Sequence, residues 1–199
     1  MTLDQHVRVA ASSLLGWAYP PPCPQGGDKT AWSKAHPVRI PRELASPLIP
    51  TDVLYWDIGE GKWINCSPCT GAILGAVYPT RWQPGDWARL QVPQGEPWAP
   101  VDICLARGVG SPATEPRAGH WYLCQGWTWN GPPGVLNPAS RGHAWLQFGL
   151  DRQLQATNWV DLDGDRKRTD AGRVTWTELP WRDQHARYDE VRLVELVAL

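Results

Sequence analysis

Asn65-Cys66-Ser67-Pro68-Cys69-Thr70-Gly71-Ala72-Ile73-Leu74 sets a cysteine where a helix begins. Asn65 or Ser67 supplies an N-cap, and Pro68 suits the first turn, where its missing N–H costs nothing. Ala72, Ile73, Leu74, Ala76 and Val77 continue as a mostly apolar helix that Tyr78-Pro79 ends. A thiol at that position feels the positive end of the helix dipole and the first unpaired N–H groups. Both favour thiolate, the form that attacks. A cysteine beside a buried helix also serves as a small core residue, so a chemical role requires a partner.

Arg141-Gly142-His143-Ala144-Trp145-Leu146-Gln147-Phe148-Gly149 offers one. Its residues are strand formers, Gly149 permits a turn, and Gly142 leaves room for another group near the imidazole. A nucleophilic cysteine needs a base, and a fold brings distant residues together. A turn at Leu150-Asp151-Arg152-Gln153 leads into a further strand, Leu154-Gln155-Ala156-Thr157-Asn158-Trp159-Val160. Asn158 or Gln155 is the candidate acceptor that orients the imidazole, with Trp159 shielding the bond. His120, in Ala118-Gly119-His120-Trp121, competes with His143 because it too follows glycine and opens an aromatic strand. His143 is preferred because Asn158-Trp159 follows it on the next strand; a structural His120 is expected to pair with a backbone carbonyl.

These pieces resemble the papain-like cysteine peptidases and amidases of the NlpC and CHAP type, over roughly residues 55–160. The matching motifs are Asn65-Cys66-Ser67 at a helix start with Tyr55-Trp56 upstream, the Gly142-His143 strand ending in Gly149, and Gln155 with Asn158-Trp159. Pro68 stands where those families carry glycine, and Pro84-Gly85-Asp86 falls too early for their pre-histidine strand, which Ala118–Leu123 fits better. The resemblance implies an α+β papain-like fold, with N-terminal helices and a nucleophile helix packed on an antiparallel sheet. It implies amide hydrolysis by Cys66, His143 and Asn158 or Gln155. The implied substrate is peptidoglycan, or another peptide, and no cofactor is required. The backbone N–H of Cys66 is the expected oxyanion donor, with Tyr55 as a second candidate by resemblance.

Composition bounds the remainder. A chain of 199 residues is read as a single domain, 1–199, with Pro/Gly-rich loop insertions at 19–50 and 79–116. A net charge of −1 and the absence of Lys/Arg runs argue against a nucleic-acid partner. No apolar stretch is long enough for membrane insertion. Met1–His6 lacks the basic and apolar regions of a signal peptide. Synthesis in the cytoplasm is therefore expected, with phage association or non-classical export as the routes to a cell wall. Five cysteines, an odd number, suit reduced thiols. Thr2 and Gln5 form a candidate capping box for a first helix that Gly16 ends.

Other chemistries compete for the same residues. Cys66-Ser67-Pro68-Cys69 at a helix start also matches a thioredoxin-like redox pair, although Asp57–Lys62 before it is not an apolar strand. Zinc would need a second close cysteine pair, and Cys104 and Cys124 are too far apart to give one. Asp161-Leu162-Asp163-Gly164-Asp165, with Asp170, resembles part of a calcium loop but lacks its glycine spacing and terminal glutamate, so a solvated turn is expected and no metal is assigned. The 14 tryptophans are mostly core. Trp127, Trp129 and Trp145 are the candidates to line a substrate groove, and a catalytically silent Trp-rich binding module is the remaining alternative. Tyr188–Val197 reads as a closing strand.

Overall fold

Thr2 and Gln5 cap the first helix reciprocally: Gln5 N–H donates to Thr2 Oγ1 at 3.3 Å, and Thr2 N–H donates to Gln5 Oε1 at 2.8 Å. This helix, α1, is Leu3–Ser12, and it buries Val7, Ala10 and Ala11. It stops short of Gly16, which occupies the left-handed region (φ +83°) in the turn that follows. The structure, a computed structural model, describes residues 1–18, 64, 66–83, 86, 89–90, 96–135, 140–157 and 173–199, with the backbone of 38–40 and 56–58.

Helix α2, Cys66–Val77, begins at the cysteine itself and buries Pro68 to Gly75 as well as Val77. Ser67 is therefore inside the helix and not its cap. Helix α3, Ala99–Ala106, and strand β3, Gly110–Ala113, occupy part of the segment expected to be irregular loop. The prolines misled there: Pro100 sits in the first turn of α3, where proline is tolerated.

The main sheet has six antiparallel strands. They are β3, then β4 (Trp121–Thr128), β5 (Arg141–Phe148), β6 (Arg152–Thr157), β7 (Arg173–Glu178) and β8 (Glu190–Leu196), in spatial order β3-β8-β4-β5-β6-β7. The C-terminal strand is present but sits inside the sheet. The β5–β6 turn comes earlier than expected, at Gly149–Asp151, so that β6 starts at Arg152. A separate parallel pair joins β1, Val38–Ile40, to β2, Trp56–Ile58.

Side-chain alternation gives the sheet two buried faces. Trp121, Leu123, Leu146, Leu154 and Val194 meet α1, α2 and α3 in the larger core. Tyr122, Cys124, Trp145 and Leu193 meet Trp181 of the short helix α4, Trp181–His185, on the other. The architecture is thus α+β: helices pack about an antiparallel six-stranded sheet, with α2 lying across β5 and β6. Among the described residues no helix is long and apolar enough to cross a membrane.

Candidate active site

The first turn of α2 meets the sheet where β5 and β6 stop pairing. Their ladder runs only from Phe148–Arg152 to Leu146–Leu154, whereas β5 stays paired with β4 as far as Arg141. Among the described residues, 143–145 of β5 have no ladder partner on β6, and Cys66 and His143 meet there. A side-chain hydrogen bond joins thiol and imidazole, and the Ala144 N–H donates to the same sulfur. Ser67 Oγ stands 4.0 Å from Cys66 Sγ. Cys66 and His143 are both half-buried as residues.

His143 Nε2 lies 2.7 Å from Gln155 Oε1. An amide oxygen only accepts, so Nε2 carries the proton and Nδ1 is the nitrogen left to face Cys66. The Gln155 amide is itself held, because its Nε2 donates to Thr177 Oγ1 on β7 at 2.9 Å. Thus four parts of the fold, α2, β5, β6 and β7, place Cys66, His143, Gln155 and Thr177 in one chain of contacts.

Burial alone pushes the Cys66 thiol up. The hydrogen bond and positive charge of His143, with help from the Ala144 N–H and Ser67, outweigh it and bring the thiol from 9.0 down to about 7. Burial likewise lowers the His143 imidazole, Arg187 lowers it further, and the bonds to Cys66 and Gln155 raise it above its ordinary value. One partner falls and the other rises, which is the behaviour of a thiolate–imidazolium pair. Cys69, Cys104 and Cys124 are buried, and burial pushes all three thiols up, helped at Cys69 by Cys66 and at Cys104 by Asp86. These four described cysteines are free.

Several expected residues are elsewhere or occupied otherwise. Asn158, Trp159 and Tyr55 lie outside the described residues, as does the Asp161–Asp165 run. Trp145 is 0% exposed: it packs at 5.7 Å beside His143, nearly parallel to it, and has no face open to a ligand. Trp127 is buried too, with Nε1 donating to the Pro97 carbonyl at 2.7 Å and its ring stacked on Trp129 at 5.2 Å. Of the three candidate groove residues only Trp129 is half-exposed. His120 is at the opposite end of β4 from Gly126, the cross-strand partner of His143. Its Nδ1 pairs with the Glu195 carboxylate at 2.8 Å, and not with the backbone carbonyl expected.

Sequence patterns alone did not single out Thr177, the Ala144 N–H, Arg187 or Tyr188. Two glycines inside strands were the available signal, since such glycines mark close approach. A Cβ on Gly142 would stand 2.6 Å from the Trp127 ring, and one on Gly126 would stand 2.5 Å from the Tyr188 ring. No family model, curated protein or solved structure matches this chain.

Proposed function

We propose that the chain is a papain-like cysteine hydrolase that cleaves an amide bond through Cys66, His143 and Gln155. The observation carrying this is the hydrogen-bonded Cys66–His143 pair, with the thiol drawn down to about 7 and the imidazole raised. In this mechanism the Cys66 thiolate attacks the amide carbonyl and forms an S–C bond. The His143 imidazolium gives its Nδ1 proton to the leaving amine as the C–N bond breaks. His143, now neutral, takes a proton from water, which attacks the thioester; the S–C bond breaks and the carboxylic product leaves. The Cys66 N–H, first in α2, is the oxyanion donor in this mechanism, since the opening N–H groups of a helix have no intrahelical acceptor. Gln155 keeps the ring in the tautomer that faces sulfur.

The substrate in this proposal is peptidoglycan, cut at a stem peptide or at the sugar–peptide amide. Purified protein should release new amino groups from bacterial walls or soluble wall fragments, and Cys66→Ala should abolish release. Hydrolysis of simple peptide amides with no wall type cut would retain the enzyme class and remove the wall substrate. A cycling Cys66–Cys69 disulfide with no hydrolysis would replace the proposal by the redox alternative.

A further inference from the structure

Gly126 lies in the middle of β4, paired on one side with His143 and on the other with Val191. Glycine inside a central strand weakens it unless something needs the space. The occupant is Tyr188: a Cβ at 126 would lie 2.5 Å from its Cγ and Cδ2 and 3.0 Å from its Cδ1. The phenol ring thus fills the side-chain position that β4 leaves empty opposite the base. Directly opposed residues on neighbouring strands stand about 5 Å apart, so this position adjoins His143.

The ring is fixed from several directions. Tyr188 stacks on Trp145 at 5.6 Å and 20°, and Trp145 stacks on His143 at 5.7 Å and 16°. Trp145 is anchored through Nε1 to Gln147 Oε1 at 3.3 Å, and Gln147 Nε2 in turn donates to the Gly149 carbonyl at 3.0 Å. The turn carrying Tyr188 is pinned by Tyr188 N–H to the His185 carbonyl at 3.2 Å and Asp189 N–H to the Trp127 carbonyl at 2.9 Å.

We propose that Tyr188, seated on Gly126, is a positioning residue that holds the plane of the His143 imidazole through Trp145 and so keeps Nδ1 directed at Cys66. The proposal rests on the cysteine-hydrolase function above. Gln155 fixes one edge of the imidazole, but a single hydrogen bond leaves the ring free to tilt about it; the aromatic stack removes that freedom. The hydroxyl is not required to ionise: burial and the Cys66 charge push the Tyr188 phenol up, against a smaller opposing effect of Arg187. Arg187 is the other charged group that acts on His143, and the Ser67 and Ala144 contacts complete the surroundings of the sulfur.

The test is the pH profile of Cys66 alkylation by iodoacetamide, read by mass spectrometry in Tyr188→Ala, Gly126→Ala, Tyr188→Phe and His143→Ala. Loss of the stack should move the profile to higher pH, with alkylation on its acid side slowed about tenfold per unit. Gly126→Ala should reproduce the shift of Tyr188→Ala by displacing the ring, and it decides the matter if Tyr188→Ala does not fold. Tyr188→Phe, which keeps the ring, should recover the wild-type profile to within about twofold in rate. If His143→Ala shifts the profile but Gly126→Ala and Tyr188→Ala merely lower the melting temperature, the positioning role is overturned and the hydrolase proposal stands. If His143→Ala leaves the profile unmoved, both fall.

Discussion

Replacing Gln155 with Met keeps the volume of the side chain and removes the acceptor 2.7 Å from His143 Nε2. The magnitude follows from what that bond does in each protonation state. A hydrogen bond to a charged group contributes about 1.5–3 kcal/mol. The neutral ring also donates through Nε2–H, and neutral bonds are roughly half as strong as charged ones. Only the difference, about 0.7–1.5 kcal/mol, bears on the ionisation. The sign is downward, since Gln155 is one of the groups that raise His143. The weaker imidazolium then stabilises thiolate less, so Cys66 moves up and the pH range of the ion pair narrows from both sides. Histidine ring resonances followed by NMR through a pH titration measure this directly. The protein has 5 histidines, and the signal absent from His143→Ala identifies the right one. A His143 that titrates unchanged or higher in Gln155→Met would refute the orienting role. A larger downward shift in Asn158→Ala would transfer it to the other candidate.

Further outcomes are expected. Iodoacetamide at neutral pH should label Cys66 ahead of Cys69, Cys104 and Cys124, whose thiols burial pushes up; equal labelling of the folded protein would contradict the helix-terminal thiolate. His143→Ala should slow acylation of Cys66 by about 10²–10⁴-fold, whereas His120→Ala should leave it near wild type; the reverse order in stopped-flow kinetics would relocate the base. Asp86 is 2% exposed and accepts from Arg107 Nε at 2.7 Å and from Gln83 N–H at 2.8 Å. Asp86→Ala should cost about 3 kcal/mol in urea unfolding, the low end for breaking a buried pair because Arg107 keeps access to water; a loss below about 1 kcal/mol would show the pair to be energetically idle.

The parts of the site read most easily from sequence are those carried by local signals. The Pro68 turn and the apolar run to Val77 specify α2, and Gly142 to Gly149 specifies β5. Thr2 and Gln5 specify the α1 cap in the same way. Helix α3 was hidden because Pro97 and Pro100 look like breakers, although Pro97 precedes the helix and Pro100 falls in its first turn. The long-range parts were less legible. Gln155 and Asn158 were equal candidates because the choice depends on where β6 begins relative to β5, and a register is set by the whole sheet. Trp127 and Trp145 looked like groove residues because alternation says which face a side chain shares but not what covers that face. Here Trp181 and Tyr188 cover Trp145, while Trp129 and the Pro97 carbonyl occupy Trp127.

The measurement closest to the central claim is the ionisation of the Cys66 thiol, followed by its ultraviolet thiolate absorbance in wild type and in His143→Ala. Cys66→Ala serves as the blank that removes the other cysteines. A thiolate–imidazolium pair predicts a wild-type midpoint at about 7. It also predicts that His143→Ala moves the midpoint up to or beyond the ordinary 9.0, because burial then acts with no partner opposing it. A wild-type midpoint already at 9.0 or above, unmoved by His143→Ala, would contradict the pair and with it the proposed hydrolase.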